Sequence, residues 1–320
     1  MASVEAPVRI ATQGNQYSYH AHAARMAVGA AIEAVDFSKF DDVVAASRRK
    51  DPGLGVIAIN TAAGAVEASA KAMFGKRTSA LPWIVAREDV PIQLALISSH
   101  EQTIAELQRG GVRCVAQAAA ARQSYDLLKE QFPRMRIRDN GPESTRCIRT
   151  VVERGDRNFL TIGPAHAAEP MGGFIVEGQE RVSPEGNVTS FYVLQRDPRE
   201  QILPADADKS ENLTVLAIAY PEGEGELAKC LEVAETIGLE AVRYMPYNPR
   251  DSTRHNPNLK RDGGILEVRG GYFDEHITEF CAQVNQLQAI DGADGPFNGK
   301  RLGQYQWYPG DVIDLQALAT

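Results

Sequence analysis

Short apolar runs alternate with longer amphipathic ones along most of the chain. Residues 8–12 (VRIAT) read as a strand, followed by a polar loop and an Ala-rich helical segment for which Ser18 is a candidate cap. Residues 40–50 show helical spacing at Val43, Val44 and Ser47. Residues 54–60 (LGVIAIN) read as a buried strand running into polar Asn60 and Thr61, and 62–74 as an Ala-rich helix. The spacing then predicts one strand over 89–98 and a short amphipathic helix over 101–111. A strand at 112–117 and a helix at 119–132, stopped by Pro133, come next. Residues 142–155 predict a helix with Gly155 just past its end, and 158–164 another strand. Residues 173–183 and the stretch 186–197 (GNVTSFYVLQRD) close this part, the latter apolar at Val188, Phe191, Val193 and Leu194. Strand and helix in alternation predict an α/β domain with a largely parallel sheet.

The pattern changes after residues 197–212, a polar stretch without period that reads as a linker. Beyond it lie a strand (213–221), a helix (225–238), two strands (239–249 and 263–272) and a second helix (274–288). The first of these helices sets Leu227, Leu231, Val233, Ala234 and Ile237 along one face. This βαββα unit predicts a small α+β sandwich. The Gly-rich tail after 289 shows no readable pattern.

A chain of 320 residues has room for two domains, and 43% hydrophobic with 24% charged residues is ordinary for a soluble globular protein. A net charge of −8 argues against a nucleic-acid partner, yet accommodates a small anionic substrate where arginines invert the field in one cleft. No apolar run approaches the roughly 20 residues of a membrane span, and the first residues lack the basic and apolar regions of a signal peptide, so the expected location is cytoplasmic. Cys114, Cys147, Cys230 and Cys281 are scattered without a C-x-x-C pair, and buried free thiols are expected. His20 and His22 sit two apart but have no third partner in the pattern, so no metal site is expected. His20 is placed to face a cleft instead. No phosphate-binding glycine loop is present.

Taken in order, the segments resemble bacterial prephenate dehydratases over roughly residues 8–287. TQGNQYSYHAHAA is similar to the family's first glycine-containing loop, VIAINTAAGAV to its P-x-E-N-S-x-x-G segment, and CVAQAAAARQS to its S-H-P-x-A-L-x-Q-C segment. ESTRCIRTV resembles a family helix start, IGPAHAAEPMG its A-S-x-x-A-A-x-x-Y-G segment, and NVTSFYVL its N-x-T-R-F segment. The second half, from GEGELAKCLEV to YMPYNPR, is similar to an ACT regulatory domain. The resemblance implies an α/β, two-lobed fold like a type II periplasmic binding protein over 1–197, then a linker at 198–212. It further implies an ACT-like α+β domain (βαββα, ferredoxin-like) over 213–290 and a tail at 291–320.

It also implies a lyase that converts prephenate, a dianion, to phenylpyruvate with loss of water and CO2, using no metal and no organic cofactor. Thr189 matches the family threonine that assists the leaving hydroxyl. Ser18, Asn60, Thr61, Gln123, Ser144, Thr145 and Phe191 match positions around the substrate. Gly225, Leu227 and Asn248 fall where relatives bind a phenylalanine effector, and a homodimer or homotetramer is implied. Ser18, Thr61 and Ser144 are equally natural as caps or turn residues, and Thr189 follows a turn at Pro184, Gly186 and Asn187.

Three departures stand out. Ser190 replaces the arginine after the threonine, Ile59 replaces a glutamate, and Ala116-Gln117 replaces a Ser-His pair. Loss of an arginine from a carboxylate site costs about 1.5–3 kcal/mol per charged hydrogen bond not replaced. Arg146, or Arg122, is the expected compensation. Two other readings follow from the departures: a divergent paralogue, such as a prephenate decarboxylase that does not aromatise, and a non-catalytic carboxylate or amino-acid sensor.

Overall fold

The computed structural model describes residues 6–29, 31–62, 64–74, 82–109, 111–196, 213–221, 226–246, 261–269, 275–290 and 304–307. In chain order the elements of the first part are β1 (Val8–Gln13), α1 (Tyr19–Val28), β2 (Ile32–Phe37), α2 (Phe40–Ser47), β3 (Leu54–Thr61), β4 (Gly64–Ala65), α3 (Glu67–Phe74) and β5 (Trp83–Pro91). Next come β6 (Leu94–Ser98), α4 (Ile104–Gln108), β7 (Arg113–Val115), α5 (Ala118–Gln131), β8 (Arg136–Arg138), α6 (Ser144–Arg154), β9 (Phe159–Pro164), β10 (Phe174–Ile175) and β11 (Val188–Gln195). The remainder holds β12 (Leu213–Pro221), α7 (Glu226–Thr236), β13 (Ala241–Pro246), β14 (Arg261–Arg269), α8 (Glu275–Ile290) and β15 (Gln304–Trp307).

These strands form three sheets. The first lobe has the order β2-β1-β3-β11-β5, with β4 beside β3, and the second has β10-β6-β9-β7-β8. Both are mixed rather than largely parallel. β1 runs parallel to β2 and β3, whereas β11 runs antiparallel to both β3 and β5. The reason is topological: β11 is the return strand from the second lobe and enters the first sheet from the opposite end.

The expected single strand over 89–98 is two strands in different sheets. β5 ends at Pro91 in the first lobe and β6 begins at Leu94 in the second, so Ile92 and Gln93 form the outward crossover. The return crossover reaches Asn187, whose carbonyl accepts from Ile92 N at 2.8 Å. Ser183 Oγ accepts from Leu94 N at 3.2 Å and donates to Ile92 O at 3.1 Å. The Tyr19 hydroxyl clamps the joint, donating to Gln93 O at 2.6 Å and accepting from Gln93 N at 2.8 Å. Each of these bonds satisfies a polar group that the bend would otherwise leave unpaired.

The third sheet is antiparallel with the order β13-β14-β12-β15, the ferredoxin-like arrangement of a βαββαβ unit. Its last strand, β15, comes from the tail that carries no sequence signal. One face packs on α7 and α8 through Leu216, Ala234, Leu266, Val268, Ile277 and Phe280. From the other face, Val215, Met245 and Ile265 join the core of the first lobe. The third sheet therefore backs directly onto the sheet that contains β11. The linker expected at 197–212 lies outside the described residues, as do Gly225 and Asn248.

Candidate active site

A cavity of about 660 Å³, open mouth included, lies between the two lobes. The first lobe contributes Tyr19, His20, Phe40, Ala58, Thr61, Val66, Thr189 and Phe191, the crossover Ile92, and the second lobe Leu94, Gln117, Ala119, Ala120, Gln123, Glu143 and Ser144. Three helices start at this cavity: α1 at Tyr19, α5 at Ala118 and α6 at Ser144. Helix starts present unpaired N–H groups and the positive end of the dipole, which favours an anion.

Their caps differ. Ser18 is fully buried and its Oγ accepts from Ala21 N at 3.2 Å, so its hydroxyl is engaged as the cap of α1. Glu143 caps α6, its Oε2 accepting from Thr145 N at 3.0 Å and Thr145 Oγ1 at 2.6 Å. Burial pushes the Glu143 carboxyl above the usual range, against the pull of the Thr145 and Arg146 hydrogen bonds. Gln117 at the start of α5 makes no side-chain cap bond, which leaves the α5 start as the open one.

Thr189 and Phe191 lie on the cavity face of β11 because alternate residues of a strand share a face. Phe191 meets the His20 ring edge-on, with centroids 5.1 Å apart. His20 is buried, and that burial lowers its pKa to about 3, so the imidazole is neutral at physiological pH. Asn187 Nδ2 donates to Gln123 Oε1 at 3.2 Å, which turns the amide nitrogen of Gln123 away from Asn187. Ser144 Oγ donates to Gln117 Oε1 at 3.2 Å. Thr61 Oγ1 donates to Gly64 O at 3.1 Å.

Thr61, Gln123, Ser144, Thr189 and Phe191 are thus brought together by the fold. Ser18, Asn60, Thr145, Arg146 and Ser190 are not among the cavity residues. Asn60 pairs in register with Ser190 and Ala65 at the end of β3. Thr145 supports Glu143. Arg146 Nη2 binds Asp36 Oδ1 at 2.6 Å, joining α6 to β2 across the lobes rather than meeting the cavity. Arg122 is exposed on α5. Ser190 points to the opposite face of the sheet, where Arg243 Nη1 donates to its Oγ at 2.7 Å. The expected loss of cavity charge at position 190, with Arg146 or Arg122 as compensation, is therefore corrected by the alternation of β11. Ile59 lies in the core at 1% exposure, so the glutamate it replaces has no counterpart in the cavity. Leu227 lies in α7, beside the third sheet, and is not among the cavity residues.

Sequence reasoning passed over Tyr19, Phe40 and Glu143. The first two carry only an aromatic signal, but an acidic residue directly before Ser144-Thr145 at a helix start is a readable cap. No lysine or arginine lines the cavity among the described residues. What the arrangement offers is an apolar slot, neutral donors from Gln123 and Thr189, the hydroxyl oxygens of Thr61 and Ser144 as acceptors, and helix N-termini at one end.

Two lobes joined by a double crossover, with their cavity at converging helix starts, define a two-lobed α/β protein with a small-molecule cleft, followed by an α+β unit. The family model described as prephenate dehydratase matches residues 10–199, and the chain belongs to that family. A search of curated protein sequences returns no match. Among solved structures, the prephenate dehydratase from Arthrobacter aurescens in complex with L-Phe is similar over 96% of this chain and 93% of its own, with 15% identity and TM-score 0.67. The prephenate dehydratase from Staphylococcus aureus is similar over 88% of this chain and 96% of its own, with 14% identity and TM-score 0.63. GqqA, described as a novel type of quorum quenching acylase, is similar over 85% of this chain and 92% of its own, with 19% identity and TM-score 0.61. At these identities the structures share the fold.

Proposed function

We propose that the chain is a carbon–oxygen lyase of the prephenate dehydratase type. The observation that carries this reading is Thr189, set at the start of a central strand in an apolar slot that also takes in the uncapped start of α5. In the reaction, the bond from the ring to its carboxylate carbon breaks and releases CO2. The electron pair enters the ring, and the hydroxyl opposite leaves as water with one proton taken up from solvent. Thr189 donates a hydrogen bond to the departing oxygen, where negative charge develops, and works by preorganised donation. Phe40, Phe191 and Leu94 hold the ring and keep water from it. The neutral His20 packs beneath Phe191 without adding charge. The N–H groups at the start of α5 receive a substrate carboxylate in place of an arginine. The α+β unit is read as an ACT-like regulatory domain for phenylalanine, supported by its strand order and by the Arthrobacter relative's complex with L-Phe.

A second reading is favoured by one observation: the described cavity residues include Glu143 and no cation. Such a site suits a divergent paralogue that releases CO2 and retains the hydroxyl. Incubation with prephenate and analysis of products separates these readings. Phenylpyruvate, with its enolate absorbance in alkali, supports dehydration. CO2 with a dihydro-hydroxyphenylpyruvate supports the paralogue. Unchanged prephenate with ligand-dependent thermal stabilisation overturns both and leaves a sensor.

A further inference from the structure

We propose that Arg243, on β13 of the third sheet, is a positioning residue for Thr189, supplying from the second domain a guanidinium that the catalytic strand lacks. The proposal rests on the lyase reading for the role of Thr189. Ser190 is the next residue on β11 and is 4% exposed. Its Oγ accepts from Arg243 Nη1 at 2.7 Å, a contact between residues 53 apart in sequence.

Arg243 is itself held. Its Nε lies 3.7 Å from Glu267 Oε2, and Glu267 is fully buried. The same carboxylate accepts from Arg87 Nη1 at 2.7 Å and from the hydroxyl of Tyr192, two residues further along β11 from Ser190. Arg87 continues to Asp89 at 2.5 and 3.2 Å, and Asp89 pairs in register with Ser190. The two arginines and two carboxylates balance in charge, and the group touches β11 at Ser190 and Tyr192.

The strand needs support at this point. The register with β3 shifts between Ser190 and Phe191, so the ladder is irregular one residue after Thr189. β11 begins only at Val188, after a turn through Gly186, and strand ends open more readily than their middles. A partly buried charged hydrogen bond on the back of Ser190 fixes the peptide that aims the Thr189 hydroxyl into the cavity. A serine at 190 leaves room for the guanidinium to arrive from β13, where the family's arginine would fill the same space from β11.

The test uses the full chain with prephenate as substrate and hydrogen–deuterium exchange over residues 186–195. Arg243→Ala is expected to lower kcat roughly 10–100-fold, as small misplacements of a reacting group do. KM is expected to stay within about threefold, since the interaction acts in the transition state rather than in uniform binding. Exchange at 188–191 is expected to rise. Ser190→Ala moves kcat and exchange the same way to a smaller extent. The swap S190R/R243S is expected to recover both, and Arg269→Ala, which breaks an exposed ion pair on the same sheet, to change neither. Unchanged kcat and exchange in Arg243→Ala, or a swap no better than Arg243→Ala alone, overturns the proposal. Should Arg243→Ala fail to fold, Ser190→Ala decides on the same two readouts. If the wild-type chain does not turn over prephenate, the lyase reading fails, while exchange at 188–191 still decides whether Arg243 pins the strand.

Discussion

Thr189 and Ser190 are adjacent on β11, yet one faces the interlobe cavity and the other the third sheet. The stretch NVTSF shows the threonine but not this division of labour, because facing depends on which strand neighbours cover each side. Thr189→Val removes the hydroxyl while keeping the branched shape a strand favours. Turnover of prephenate is expected to fall by about 10²–10³, the usual effect of deleting one preorganised donor, and Thr189→Ser is expected to retain most of it. Equal kcat in Thr189→Val and wild type would remove the hydroxyl from the mechanism. His20 makes a separate prediction. Its pKa falls to about 3 through burial, from an ordinary 6.5. The folded state thus resists a proton that the unfolded chain accepts. Stability is complete above pH 6.5 and is lost as pH falls towards 3, by up to about 1.4 kcal/mol per pH unit. Urea unfolding at pH 7 and 4.5 should show the wild type losing about 2–3 kcal/mol more than His20→Gln, whose side chain does not titrate.

At the scale of elements, the apolar run 89–98 illustrates what pattern reading reaches. It marks buried strand correctly, but Pro91 and a single polar Gln93 are too short an interruption to read as a loop, so the change of sheet at Ile92–Gln93 passes for one strand. That change creates the cleft. The Ala-rich segment 62–74 was likewise legible as helix only from Glu67, because β4 is two residues long and too short to carry a period. The edge strand β2 went unread, its apolar residues interrupted by Glu33 and Asp36. Asp36 proves useful: its Oδ1 accepts from Gly14 N at 2.9 Å and from Arg146 at 2.6 Å, which joins the β1–α1 turn to α6. Gly14 has φ +95°, and a Cβ there would meet Glu143 Cδ at 2.6 Å and Ser18 Cβ at 2.8 Å. Gly186 also has positive φ, +70°, but open space around it. Gly186→Ala should cost only the left-handed penalty of about 1–2 kcal/mol. Gly14→Ala should cost at least about 1 kcal/mol more, from overpacking at the junction of the lobes. Equal denaturation midpoints for the two variants would show that α6 and the turn are not pressed together.

For the whole molecule, the division into a two-lobed α/β part and an α+β part follows from the change of period near residue 200, but the union of the two does not. It depends on Arg87, Tyr192 and Glu267, of which Arg87 and Glu267 are 180 residues apart in sequence. A lone glutamate in the apolar run of β14 gives no hint of a partner, and only folding shows that its carboxylate is fully buried between two arginines. Burial raises the Tyr192 hydroxyl well above its ordinary pKa, and Glu267 reinforces this, so Tyr192 remains a donor to the carboxylate. Removing one member of a buried ionic group costs more than the group contributes, because the remaining charges stay desolvated without a partner. Glu267→Ala is therefore expected to destabilise the chain by about 3–5 kcal/mol, and Tyr192→Phe by about 1.5–3 kcal/mol. Replacing both Arg87 and Glu267 with methionine should cost less than Glu267→Ala, since no unpaired charge is left between them. The loss should vary little between 0.05 and 0.5 M salt, as buried pairs are weakly screened, whereas the exposed Arg269–Glu240 pair should be worth less than about 1 kcal/mol and weaken as salt is added. Urea unfolding of these three variants and of Arg269→Ala at both salt concentrations measures each term. A Glu267→Ala cost as small and as salt-sensitive as that of the exposed pair would mean that water reaches the junction, and that the α+β unit rests on the first lobe without being locked to it.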